Sequence, residues 1–145
     1  KPGQDVVLLP LGEETPRPIA YRDFQAIDAS SSPIRYRACF TTPQSQALMT
    51  ETYVTYEGAE PLVAPDWFGC FNASEVGEAI EANTAIAFLG EKDVIWGFDR
   101  IVAVMDDGRG FVWHQINDCG REVFDGKPMP EDCPPRDTNT NSESN

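Results

Sequence analysis

Four cysteines, Cys39, Cys70, Cys119 and Cys133, constrain this chain more than any other feature. Structural zinc sites usually draw thiolates from tight pairs such as C-x-x-C, because one turn must present two sulfurs to one tetrahedral ion. No two of these cysteines lie that close. Two disulfides are the simpler reading, and they place the protein in an oxidising compartment outside the cytosol. Four cysteines allow three pairings. The segment between Cys119 and Cys133 carries Asp125-Gly126, Pro128 and Pro130 and can loop back on itself, which favours Cys119–Cys133 and leaves Cys39–Cys70 by elimination.

At 145 residues the chain fits one domain. A domain of that length buries roughly 68–70% of its unfolded surface, so bridges of about 2–4 kcal/mol each stabilise a core that forms without them. Acidic residues outnumber basic ones 24 to 11, a formal charge of −13. Such a surface repels phosphate backbones and anionic lipid, and no Lys/Arg cluster provides a local exception, so nucleic acid is not an expected partner. A well-solvated surface accounts for the charge. No apolar run approaches the roughly 20 residues that span a bilayer. With an extracytoplasmic cysteine pattern and a start at Lys1-Pro2-Gly3, an export signal or N-terminal anchor is expected to have been removed.

Along the chain, Val6-Val7-Leu8-Leu9 reads as an edge strand, and Pro16 and Pro18 hold off regular structure until Ile19. Tyr21, Phe24 and Ile27 are anchors of a mixed stretch, followed by a break at Ser30-Ser31-Ser32-Pro33. Ile34 to Phe40 is the cleanest strand, with Ile34, Tyr36, Ala38 and Phe40 on one face and Arg35, Arg37 and Cys39 on the other. Thr42-Pro43 resembles a helix start, with Met49, Tyr53 and Tyr56 at helical spacing and Gly58 as a stop, although Thr52 to Tyr56 is rich in β-formers. Asn72 with Glu75 resembles a capping box, opening a helix through Val76, Ala79 and Ile80 that ends near Asn83. Thr84 to Leu89 is a short strand. Val94 to Met105 reads as one long strand, apolar on both faces and hence central, and Asp107-Gly108 turns it into a returning strand, Phe111 to Ile116. The expected architecture is α+β: one domain over residues 19–135, a mostly antiparallel sheet of about five strands with two helices packed on it and two disulfides. Residues 1–18 are expected to be an irregular approach and 136–145 a disordered polar tail.

No catalytic motif stands out. His114 is the only histidine and the natural candidate for acid–base work. With Asp107-Gly108 as the two turn residues it lies opposite Ile101, and a slip of one places it opposite Val102, so it reads as a core or rim histidine before a catalytic one. No thiol protease signature, G-x-S-x-G elbow, phosphate-binding loop or complete EF-hand is present, and no metal or cofactor is expected. Asn72-Ala73-Ser74 matches a glycosylation sequon, but a helix cap explains the same residues. Arg35 and Arg37, about 7 Å apart by strand rise, could grip a carboxylate or phosphate. Trp67-Phe68, on a proline-flanked loop, could act as a hydrophobic anchor in another protein.

Four stretches carry a family resemblance: Phe24-Gln25-Ala26-Ile27-Asp28, Ser32-Pro33-Ile34-Arg35-Tyr36-Arg37-Ala38-Cys39-Phe40, Asp107 through Asn117, and Asp132-Cys133-Pro134-Pro135. They resemble an uncharacterised bacterial family, a domain of unknown function found in short proteins with one N-terminal membrane anchor. The resemblance implies an anchored domain facing the periplasm, and it carries no activity or catalytic residues to transfer. Members of that family are sometimes labelled histidine kinases. This sequence does not support that label, since it has no ATP-site motif and His114 falls in a strand. The expected function is a non-enzymatic periplasmic module that binds another envelope protein or component. The alternative is a sensor of a small anionic ligand through Arg35 and Arg37, and behind both stands an enzyme using His114.

Overall fold

Apolar residues alternate through 34–40 and occupy both faces of 101–105 and 111–113, which demands cover on each side of a sheet, and the fold supplies it. The computed structural model describes residues 3–29 and 32–136. In chain order the elements are β1 (Val7–Leu8), β2 (Arg17–Pro18), β3 (Arg22–Ala29), β4 (Ser32–Thr41), α1 (Gln46–Thr52), α2 (Ala73–Glu81), β5 (Ala85–Ile95), β6 (Phe98–Met105), β7 (Arg109–Ile116) and α3 (Asp118–Phe124). Five strands form one antiparallel sheet in the order β3-β4-β7-β6-β5, and β1 and β2 make a small second sheet.

The two faces of the large sheet carry separate cores. On one, Ile101, Ala103, Met105, Phe111, Trp113 and Cys39 meet Val76 of α2 and Phe68 and Phe71 of the preceding loop. On the other, Ala38, Phe40, Phe88, Val102, Val104 and Val112 meet Met49 of α1 and Val6, Leu8 and Ile19. Residues 1–18, read from sequence as an irregular approach, thus contribute buried side chains to the second core, and Pro18 sits in β2 where no regular structure was expected. Of the tail expected to be disordered over 136–145, Arg136 lies over the Trp96 and Phe124 rings and residues 137–145 lie outside those described, as do Ser30 and Ser31 of the expected break.

Both expected bridges are present, Cys39–Cys70 and Cys119–Cys133. They indicate an oxidising environment outside the cytosol. No helix among the described residues is long and apolar enough to cross a membrane.

Four local expectations are corrected. The stretch from Val94 to Met105 is two strands, broken by a turn at Trp96-Gly97 that joins β5 to β6. Gly97 has φ +90° and Asp93 φ +50°, a sharp reversal that periodicity alone does not reveal. Thr42 does not cap a helix. Its N–H donates to the Gly108 carbonyl (2.9 Å) and its hydroxyl to that of Ala20 (2.9 Å), so the chain is still tied to the sheet there. The cap is Ser45, whose Oγ accepts from the Leu48 N–H at 3.2 Å. The helix stops at Thr52, because Val54 and Tyr56 bond instead to Leu9, Leu89 and Ala87, laying this β-rich run along the outer edge of β5. Finally, the β6–β7 hairpin turns on three residues, Asp106-Asp107-Gly108, with Gly108 at φ +93°. That shifts the register by one, so His114 faces Arg100 and neither Ile101 nor Val102.

The Asn72 cap is as expected, its side chain accepting from the Glu75 N–H at 3.1 Å. Glu75 itself reaches Arg109 at the hairpin end (3.2 Å), tying α2 to the sheet. A third, short helix, α3, was not expected; Asn117 caps it by accepting from the Gly120 N–H at 2.9 Å.

Candidate functional site

Arg35, Arg37 and Trp67, singled out separately in the sequence, line one groove of about 630 Å³ with Ile27, Val63, Ala64 and Pro65. Strand pairing accounts for part of this. Ile27 of β3 sits directly across from Arg37 of β4, and Arg35 follows two residues before on the same face. The other wall is the loop between residues 59 and 71, which has no regular structure of its own.

That loop is nonetheless held at several points. Arg37 is 7% exposed, and its guanidinium donates to four backbone carbonyls: those of Ile34 (2.7 Å) and Tyr36 (2.8 Å) on its own strand, and those of Leu62 (3.2 Å) and Val63 (3.0 Å) across the gap. It also lies over the Phe71 ring, 6.0 Å from the centroid. Burial pulls its pKa below the usual arginine value, yet it remains a cation. The Cys39–Cys70 bridge fastens the far end of the loop to β4. At the near end Gln115 donates to the Gly58 carbonyl (2.9 Å) and accepts from the Glu60 N–H (2.8 Å). Phe68 and Phe71 are buried in the core below.

Two side chains on this braced loop point the other way. Val63 is 81% exposed and Trp67 is 75% exposed. The Trp67-Phe68 pair, expected to act together, is therefore split. Phe68, at 7% exposure, is a core residue, and Trp67 rests edge-on against it with ring centroids 6.2 Å apart. The arginine pair is split as well. Arg37 spends its donors on the protein's own backbone, whereas Arg35 is exposed and has no hydrogen-bond or ion-pair partner among the described residues. Val63 was missed from sequence, although Pro61 and Pro65 on either side of it mark a segment kept out of both helix and strand.

His114 is on the opposite side of the sheet. Its ring is buried, stacks on Tyr36 (centroids 4.8 Å, 14° between planes) and accepts at Nε2 from Arg100 Nε at 3.0 Å. Arg100 in turn lies 4.8 Å from the Tyr36 centroid. Histidine here is one layer of a packed stack.

A second groove, about 580 Å³, is polar and lies beside α3, with Tyr56, Asp99, Asn117, Asp118 and Arg121 among its lining residues. Sequence reading passed over it. Asp99 is 5% exposed; its Oδ2 accepts from the Tyr56 hydroxyl (2.8 Å) and its Oδ1 from the Asp93 N–H (2.9 Å) and Asn117 Nδ2 (2.9 Å). Asp93 Oδ1 accepts from Asn117 Nδ2 and the Gly97 N–H, both at 3.0 Å. Burial, then the bond to Asp99, pushes the Tyr56 phenol well above its ordinary pKa. The result is a closed network binding the Trp96-Gly97 turn to the start of α3, where Gly97 and Gly120 touch so closely that a Cβ on Gly120 would strike the Gly97 carbonyl. No buried side-chain nitrogen or oxygen among the described residues lacks a partner. No group of three or more His, Cys, Asp or Glu among them could hold a metal ion.

Fold and bridges together define a disulfide-stapled α+β domain that exposes Val63 and Trp67 on a loop braced on its central sheet. The chain belongs to the family of unknown function DUF6446, which matches residues 6–134. No curated protein and no solved structure matches it.

Proposed function

We propose that this domain is a non-enzymatic binding module of the periplasm, held at the inner membrane, that docks another envelope protein through the groove beside Trp67. The observation that carries the reading is the exposure of Val63 and Trp67 on a loop fixed by Arg37, Gln115 and the Cys39–Cys70 bridge. Loops are ordinarily mobile, and apolar side chains on them are ordinarily turned inward. A loop anchored at both ends that still holds a tryptophan in water loses little conformational entropy when a partner covers it, which is what a binding anchor needs. The disulfides support a place outside the cytosol; the periplasm and the membrane are supported by the family resemblance alone.

Site-directed photocrosslinking from residue 65 in the native host, compared between wild type and a Val63→Ser/Trp67→Ala variant, tests this. The expected result is a discrete crosslinked partner that disappears in the variant while its melting temperature stays near wild type. An unchanged crosslinking pattern overturns the assignment.

The alternative, a sensor of a small anionic ligand, is favoured by a different observation: among the described residues Arg35 has no partner and no acidic residue lines the groove. It rests on Arg35 alone, because Arg37 has turned its donors to backbone carbonyls.

A further inference from the structure

The groove is chemically unlike the rest of this protein. In a chain with 24 acidic and 11 basic residues, the groove takes two arginines and, among the described residues, no carboxylate, set against Ile27, Val63, Ala64, Pro65 and Trp67. We infer that its occupant is a peptide segment of the partner that lays an apolar side chain on Val63, Pro65 and Trp67 and brings an adjoining carboxylate to Arg35. This rests on the docking reading above and names the chemistry of the docked segment.

Three features select that chemistry. Arg35 is exposed and its fork of N–H donors is unclaimed among the described residues, so it can receive a carboxylate in two-point geometry. Arg37 adds positive charge without competing for that bond, since its donors are held by Ile34, Tyr36, Leu62 and Val63. A net charge of −13 repels polyanions at long range, whereas a single carboxylate beside an apolar group gains from the short-range pairing and from burial of the apolar surface around it. A nucleic acid or polyphosphate does not meet those conditions.

The test uses the full chain and two acetylated, amidated tripeptides, leucine–phenylalanine–aspartate and leucine–phenylalanine–asparagine. Binding is followed through the methyl resonances of Val63, which lines the groove and is present in every variant, at low ionic strength. The aspartate peptide is expected to bind about tenfold more tightly than the asparagine peptide, the worth of one charge-assisted pair. Arg35→Gln is expected to erase that preference, and Trp67→Ala to weaken both peptides alike. Equal binding of the two peptides, a preference that survives Arg35→Gln, or no binding of either overturns the inference. Any of these with Trp67-dependent crosslinking intact in the cell leaves docking standing and removes only the carboxylate. Loss of the crosslinking result removes the docking reading itself.

Discussion

The polar groove beside α3 and the groove beside Trp67 differ in what their central groups have left to do. In the polar groove, Tyr56, Asp99 and Asn117 form one bonded network with the neighbouring Asp93, the Asp99 carboxylate receives three donors, and the charged groups left over, among them Glu57, Lys92 and Asp132, are exposed and of both signs. In the groove beside Trp67, two apolar side chains face water and the Arg35 guanidinium has no partner among the described residues. A buried carboxylate and a shifted tyrosine ordinarily draw the eye as signs of chemistry. Here they are explained by what they hold in place, the Trp96-Gly97 turn against the first turn of α3. The more informative site is the one that keeps apolar side chains in water beside a guanidinium on a rigid support, because a partner can cover the first and pair the second.

That contrast can be broken most directly at Asp99. Asp99→Ala strands the Tyr56 hydroxyl and the Asp93 N–H, leaves Asn117 Nδ2 only its bond to Asp93 Oδ1, and should cost about 3–4 kcal/mol, read as a lower urea midpoint with unchanged slope. A loss under about 1 kcal/mol would mean that water satisfies these donors and that the network is not structural. Alkaline titration sharpens the same point. An unfolded tyrosine loses its proton near pH 10, and in the fold Tyr56 retains it to higher pH. Above pH 10 the unfolded chain therefore binds fewer protons than the native one, and stability falls as pH rises. In Tyr56→Phe that part of the decline should vanish from equilibrium unfolding curves between neutral pH and about pH 11, and an identical decline would assign it to other groups. The smallest effect is expected at the other groove. Trp67→Ala should change unfolding stability by no more than about 0.5 kcal/mol, as for a surface site. A loss comparable to that at Asp99 would show that Trp67 supports the core and would remove the reason for treating it as an anchor.

Much of the fold was legible wherever a short-range signal coincided with a tertiary need. The Asn72 cap, the alternation through Ile34–Phe40 and the Asp107-Gly108 turn each specify local geometry through nearby atoms, and each is found. The turn also shows the limit of such signals. One added loop residue moved His114 from an aliphatic neighbour to Arg100, because a hairpin's register depends on its loop length more than on the composition of its strands. The Trp96-Gly97 turn hid inside an unbroken apolar run, and α3, with Cys119 and Gly120 among its first residues, offered little helix propensity. Of the candidate site, residue types were readable and their orientation was not: nothing local distinguishes Trp67, which faces water, from Phe68, which is buried.

By itself the sequence determined the bridging of the cysteines, the acidic surface and the α+β class, since these follow from residue types and spacings that need no knowledge of distant neighbours. Only the tertiary structure decided that Arg35 and Arg37 part company, that one aromatic of a pair is core and the other surface, and that a loop becomes a wall. The reason is physical: burial and bond partners are set by segments far apart in the chain, here residues 27, 35–37 and 59–71, and come into being only when those segments pack.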